Sequence, residues 1–162
     1  MMGLTPVLQA LARRPTITKL VLCHCPLGSD ETNLIGNILR NIPSLQSLAL
    51  TEGTLDIDKL EELAPALYHN TSIKVLDISR NRFHNLASAD IILQDIIRRN
   101  KSITTLDLST NFTYIEGVAN RITEGLGSNS TLLKIDLTSW NLGDDGVSNL
   151  AQTLGSRNTA LQ

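Results

Sequence analysis

The sequence predicts an α/β solenoid with a parallel β-sheet on its concave face and α-helices on its convex face. The first observation is an 11-residue pattern in Ile73–Phe83, with apolar residues at the first, fourth, sixth and eleventh places and Asn81 at the ninth. The second is that this pattern occurs five times, with fourth-place residues spaced 28, 28, 30 and 29 apart, at Leu20, Leu48, Leu76, Leu106 and Ile135. A fixed period of this size indicates stacked repeats that bury one continuous core.

Each copy of the pattern predicts a short strand, near residues 19–22, 47–50, 75–78, 105–108 and 134–137. The apolar places of a strand face the core, and the places between them face outward on the concave side. The ninth place is expected to hydrogen-bond backbone groups of adjacent turns. Only two of its five residues are Asn, so this ladder is degenerate: Cys25, Gly53, Asn81, Asn111 and Trp140.

Apolar residues three or four apart predict a helix between successive strands. Ser29 or Asp30 is the expected N-cap of the second helix. Four asparagines fall at predicted helix ends, where we expect the left-handed conformation: Asn70, Asn100, Asn129 and Asn158. The predicted apolar stripes are Leu4–Val7–Leu11, Ile35–Leu39, Leu60–Leu63–Leu67, Leu93–Ile97, Ile122–Leu126 and Val147–Leu150–Leu154.

The unit from Leu137 to Val147, with the helix that follows to Leu154, resembles the ribonuclease-inhibitor-like class of leucine-rich repeats. The helix-end turn Asn70–Ile73 is also similar to repeats in tropomodulins, innate-immune receptors and bacterial effectors. The resemblance implies a right-handed solenoid curved like a horseshoe. We expect residues 1–162 to be one domain of about five and a half repeats, with incomplete repeats at both ends.

Composition and charge exclude several classes of function. The net charge of −2 provides no overall basic field for nucleic acid or anionic lipid. No apolar run approaches the ~20 residues of a membrane span, and no secretory signal is visible. Cys23 and Cys25 lie two residues apart on one predicted strand, where their side chains are too far apart for an unstrained disulfide, which indicates a reducing compartment. We therefore expect a cytoplasmic protein, delivered into a host cytosol if it is a bacterial effector.

Charged residues on the concave face form the main candidate binding site. Asp77, Asp107 and Asp136 occupy the same place in consecutive repeats, and we expect their repulsion to raise their pKa values. Lys19 and Lys134 share a second column.

Further candidates lie where the chain leaves the strands. His24, Glu52 and Arg80 form another column, whose side chains are expected to lie too far apart to hydrogen-bond one another. The loop residues Phe112 and Tyr114, beside Trp140, are a candidate aromatic contact patch.

No nucleophile–base pair, phosphate loop or metal-ligand cluster is visible, so we expect neither an enzyme nor a bound cofactor. The sequence favours a non-enzymatic module that binds a partner protein on its concave face and adjoining loops. One alternative is a GTPase-regulating domain like those of Ran GTPase-activating proteins, acting through an arginine such as Arg80 or Arg82. Another is a structural fragment of a longer array that self-associates through uncapped ends.

Overall fold

The computed structural model describes residues 3–81, 83, 86–111 and 118–162. Helices and strands alternate through this part of the chain. The strands are β1 (Lys19–Cys23), β2 (Ser47–Thr51), β3 (Val75–Asp77), β4 (Thr105–Asp107) and β5 (Lys134–Asp136). The helices are α1 (Thr5–Leu11), α2 (Ser29–Asn41), α3 (Ile57–His69), α4 (Leu86–Arg99), α5 (Val118–Gly127) and α6 (Gly143–Ser156).

The five strands form one parallel sheet in sequence order, which confirms the predicted fold class. The register aligns the fourth-place residues of all five repeats, so that Leu20, Leu48, Leu76, Leu106 and Ile135 form one row. Each helix contacts the next helix along the chain. Because helices are wider than the ~4.8 Å strand spacing, this layer lies on the convex side.

The core lies between the sheet and the helices, and most predicted stripes line it. Leu60, Leu63 and Leu67 of α3 are each no more than 1 % exposed, and the predicted residues of α2, α4 and α5 are buried too. The stripes of the two outermost helices are partly wrong. In α1, Leu8 is buried whereas Val7 is 54 % exposed, and in α6 Val147 is 55 % exposed. These helices have a neighbouring helix on one side only, so fewer of their apolar residues are covered.

The predicted N-cap of α2 is also wrong. Gly28, rather than Ser29 or Asp30, is the cap. The Glu31 carboxylate accepts a hydrogen bond from the Gly28 N–H at 3.1 Å, and it also accepts one from the Thr5 hydroxyl of α1. The Glu31 carboxylate thereby connects α1 to the N-terminus of α2.

The helix-end asparagines form a continuous hydrogen-bonded ladder, which the sequence analysis attributed to a left-handed turn. Asn70 has an extended backbone instead, with φ −68° and ψ 135°. Its Nδ2 donates to the Leu39 carbonyl at 2.6 Å, and its Oδ1 accepts from the N–H of Ile73 at 2.7 Å. Asn100, Asn129 and Asn158 repeat this arrangement, and each also donates to the backbone carbonyl of the preceding asparagine. The prediction of a left-handed Asn70 is therefore wrong.

The ninth-place ladder is more regular than the sequence suggested. Asn81 and Asn111 each donate to two buried carbonyls, as expected. In the second repeat the residue with this role is Thr54 rather than Gly53. Its hydroxyl donates to the Thr51 carbonyl at 2.6 Å and accepts from the Cys25 N–H at 3.2 Å. Gly53, which occupies the ninth place, has φ +75° and directly precedes Thr54.

Candidate functional site

Three columns of side chains cross the concave face, and the strand register defines them. The strand-start column is Lys19, Ser47, Val75, Thr105 and Lys134. The middle column, two residues further on, is Val21, Ala49, Asp77, Asp107 and Asp136. The exit column follows the strands and consists of His24, Glu52, Arg80, Thr110 and Ser139. The structure thus brings the predicted aspartates into one row.

The aspartates of the middle column are held by local hydrogen bonds. Oδ1 of Asp77 accepts from the N–H of Ser79 at 3.0 Å, and the corresponding distances at Asp107 and Asp136 are 2.9 and 2.8 Å. The carboxylates remain partly exposed on the concave face. Each is consequently oriented by its own strand end while an oxygen stays accessible to a partner.

Asp136 has a pKa below its usual value, which is opposite to the expected effect of repulsion. Hydrogen bonding by the Thr138 hydroxyl is the largest cause, followed by the Thr138 backbone N–H. The positive charge of Lys134 acts in the same direction. The expectation of a raised pKa is therefore wrong for Asp136, because the hydrogen bonds from Thr138 and the positive charge of Lys134 favour the ionised carboxylate.

All five residues of the exit column have a left-handed backbone, with φ between 54° and 67°. None of them is glycine, and this conformation costs roughly 1–2 kcal/mol per residue for an L-amino acid. This conformation could not be predicted from the sequence, because His, Glu, Arg, Thr and Ser share no compositional preference for it. The turn directs a polar side chain outward at each strand end.

His24, Glu52 and Arg80 contact one another, contrary to the expectation that they lie too far apart. His24 Nε2 lies 3.4 Å from Glu52 Oε2, and Arg80 Nη1 lies 3.2 Å from Glu52 Oε1. Adjacent strands are only about 4.8 Å apart, so long side chains in one column reach each other. The side chains of His24 and Arg80 are 75 % and 61 % exposed, so these pairs add little stability and remain available for contact.

Exposed apolar side chains accompany the lysines of the strand-start column. Val75 is 39 % exposed and follows Lys74, and Leu133 is 41 % exposed and precedes Lys134. Val21, two residues after Lys19, is 51 % exposed. This side of the concave face is therefore both basic and apolar.

The predicted aromatic patch is only partly within the described residues. Phe112 and Tyr114 lie outside them, as does Arg82 of the GTPase-regulating alternative. Trp140 is partly buried and packs against the core. Its Nε1 donates to the Leu108 carbonyl at 2.8 Å, so the indole takes the place of the ladder asparagine.

Among the described residues, few side chains suited to catalysis or metal binding lie close together. Among them, no three His, Cys, Asp or Glu side chains are grouped so that they could hold a metal ion. Cys23 is exposed and Cys25 is half-buried, and both are free thiols. A groove of about 300 Å³ between α5 and α6 is lined by amides, hydroxyls, Glu124 and Arg157. No helix in this part of the chain is long and apolar enough to cross a membrane.

Comparison with known proteins supports the repeat architecture. The chain is 29 % identical over 152 residues to leucine-rich repeat-containing protein 45 of Gallus gallus, with 91 % of this chain covered. It spans about a fifth (22 %) of that relative's length. No protein-family model matches the chain.

Two solved structures share the fold. One is leiomodin-1 actin-binding site 2, with a TM-score of 0.72 and 17 % identity, covering 95 % of this chain and 88 % of that one. The other is the tropomodulin C-terminal domain of Caenorhabditis elegans, with a TM-score of 0.67 and 11 % identity, covering 93 % and 92 %. At such identities the likeness shows the fold alone. The predicted leucine-rich repeat solenoid is confirmed.

Proposed function

We propose that this leucine-rich repeat chain is a non-enzymatic module that binds a partner protein on its concave face and adjoining loops. The proposal treats residues 1–162 as a single domain of about five and a half repeats. The observation that carries it is the row formed by Asp77, Asp107 and Asp136, whose carboxylates are oriented by backbone hydrogen bonds yet remain accessible. A surface that is already ordered loses little conformational entropy on binding.

Two further observations support a protein as the partner. The exit column adds His24, Glu52 and Arg80 as exposed polar groups next to the aspartate row. Leiomodin-1 actin-binding site 2, a structure of the same fold, is named for a protein partner. The proposed partner is a cytoplasmic protein, and the proposal involves no nucleic acid, membrane or cofactor.

An affinity pull-down from cell lysate, analysed by mass spectrometry, tests the proposal. The wild-type chain is compared with a variant that carries Asp77→Lys, Asp107→Lys and Asp136→Lys. A matched control changes three exposed helix carboxylates, Glu61, Glu62 and Glu124, to Lys, which alters the net charge equally. We expect a partner that the wild type and the control retain and the aspartate variant loses, with all three chains folded by circular dichroism. A partner retained by all three would move the site away from the aspartate row.

Self-association is a second candidate, supported by the side of β5 that faces away from β4. Ile135 and Leu137 are half-buried, whereas their counterparts Leu106 and Leu108 are at most 2 % exposed. An apolar strand edge of this kind can pair with a second copy. Analytical ultracentrifugation between 1 and 100 µM, taken as about the range for weak association, distinguishes the two cases. A mass that stays monomeric across this range would contradict self-association.

A further inference from the structure

The solenoid separates its charges between two edges. One edge contains the six turns that lead from a helix towards the next strand, in residues 12–19, 40–47, 69–75, 98–105, 127–134 and 155–162. These turns contain no Asp or Glu. They contain ten of the 14 Lys and Arg residues, all exposed, and we name them the basic edge: Arg13, Arg14, Lys19, Arg40, Lys74, Arg98, Arg99, Lys101, Lys134 and Arg157.

The opposite edge, where strands end and helices begin, is acidic. Among the described residues it carries ten of the 16 Asp and Glu residues, and its Lys and Arg residues are Lys59 and Arg80. The acidic residues are Asp30, Glu31, Glu52, Asp56, Asp58, Asp77, Asp107, Asp136, Asp144 and Asp145. The two edges nearly cancel, which explains why the net charge of −2 gave no indication of a basic surface.

Helix dipoles explain only part of the basic edge. Basic residues near a helix C-terminus interact favourably with its negative end, and this accounts for Arg40, Arg98 and Arg99. Arg98 and Arg99 also pair with Asp95 at 3.0 and 3.2 Å. Lys19, Lys74 and Lys134 belong to the strand side of the turns instead, and none of the three pairs with a carboxylate within the described ranges.

The lysines have exposed apolar neighbours, which is an independent indication of the ligand. Val21, Val75 and Leu133 are 51, 39 and 41 % exposed and lie beside Lys19, Lys74 and Lys134. A phosphate backbone would leave these side chains without an apolar partner, whereas a peptide with acidic and apolar side chains would satisfy both kinds of group.

We propose that the basic edge and the strand-start column bind an extended protein segment whose contacting face carries both acidic and apolar residues. The inference goes beyond the proposed function: it concerns the basic edge and the strand-start column, and the aspartate row, which would repel an acidic segment, is not part of this surface. Five strands at a spacing of ~4.8 Å extend over about 19 Å, which an extended segment of roughly six residues crosses. Its carboxylates contact the lysines, and its apolar side chains cover Val75 and its neighbours.

Fluorescence anisotropy tests the inference with a labelled 12-residue Glu-Val peptide of Glu-Glu-Val-Val repeats, which presents both residue types on each face when it is extended. The variant Lys74→Glu/Lys134→Glu is compared with Lys59→Glu/Arg121→Glu, a control with the same charge change on the helices. We expect the first variant to lose about tenfold in affinity at low salt and the control to lose little, because exposed charge pairs act over short range. A third variant, Val75→Ser, should lose about threefold with an unchanged salt dependence.

Other probes identify the results that would overturn the inference. A Glu-Ser peptide or a 12-nucleotide single-stranded DNA that binds as tightly as the Glu-Val peptide would show a general polyanion surface. Binding to phosphatidylserine vesicles in preference to the peptide would assign the surface to membranes. A Glu-Val peptide that does not bind would refute the inference, while a partner that depends on the aspartates in the pull-down would leave the proposed function intact.

Discussion

The asparagine ladder makes a quantitative prediction, which is sharpest at its interior member Asn100. In an Asn100→Ala variant the N–H groups of Ser102 and Ile103 lose their acceptor, Oδ1 of Asn100, which lies 2.8 Å from each. The carbonyls of Leu67 and Asn70 lose the Nδ2 donor, but each retains another donor: the Asn70 N–H for the first and the Ser102 hydroxyl for the second.

Two buried N–H groups are therefore left unpaired. Each costs roughly 1–3 kcal/mol, and the small cavity adds to this, so we expect the free energy of unfolding to fall by about 3–5 kcal/mol. This is a large part of the ~5–15 kcal/mol that stabilises a typical domain. With a urea m-value of about 2 kcal/mol per molar, the unfolding midpoint should fall by roughly 2 M.

Urea unfolding followed by circular dichroism measures this midpoint, and amide hydrogen exchange locates the effect at Ser102 and Ile103. The matched control is Asn37→Ala, since Asn37 is exposed and its side chain accepts only from Arg40 among the described residues. If Asn100→Ala lowers the midpoint no more than the control, the ladder does not stabilise the fold as argued. Unchanged exchange at Ile103 would lead to the same conclusion.

Three further predictions concern the exit column, the aspartate row and Trp140. Thr110→Gly relieves a positive φ and should leave stability equal or raise it by up to about 1 kcal/mol in urea unfolding, whereas Thr105→Gly in strand β4 should lower it. The pKa of Asp136 is lowered by folding, so its contribution is present above its unfolded pKa and disappears as the pH falls through its folded pKa. The difference in the free energy of unfolding between wild type and Asp136→Asn should thus narrow as the pH falls from 7 to about 2. A constant difference would contradict a lowered pKa of Asp136 in the folded state. Trp140→Phe removes one of two donors to the Leu108 carbonyl and leaves the amide of Asn111, so it should cost no more than about 1 kcal/mol in urea unfolding. A loss well above this would contradict the inference that Asn111 alone satisfies this carbonyl.

Much of the fold could be predicted because the repeated spacing of apolar residues indicates directly which side chains are buried. The fourth-place and sixth-place residues face the core in every repeat, so Leu76 and Ile78 could be placed without a structure. The same reasoning fails at α1, where Leu8 rather than Val7 is buried. A helix with one neighbour buries a narrower stripe, and the sequence spacing alone does not select which of two adjacent apolar residues it contains.

The ladders show a second limit of sequence reasoning. Asparagine is favoured both in left-handed turns and where an amide must satisfy backbone groups, so the presence of Asn70 could not distinguish the two explanations. At Gly53 and Thr54 the fixed count of residues indicated the wrong one, because glycine has no side chain and the hydroxyl of the next residue makes these hydrogen bonds instead.

The candidate site was predictable in its columns but not in its contacts. The register placed His24, Glu52 and Arg80 in one column, yet the contacts of Glu52 with the other two depend on side-chain length and on the positive φ of each residue. The separation of charge between the edges was visible in the sequence only once the helix-to-strand turns were known to share one edge.

The asparagine ladder also links stability to the proposed partner site. Oδ1 of Asn70 accepts from the Ile73 N–H at 2.7 Å, and Lys74 and Val75 follow directly in the chain. Asn129 holds Leu132 in the same way, next to Leu133 and Lys134. The ladder therefore fixes the backbone directly before these basic and apolar residues at the start of the strands. An Asn129→Ala variant changes no charge, yet we expect it to weaken binding of the Glu-Val peptide under conditions where it stays folded, because the residues that contact the peptide lose their fixed position. An unchanged affinity in the folded variant would show that the surface does not depend on this preorganisation.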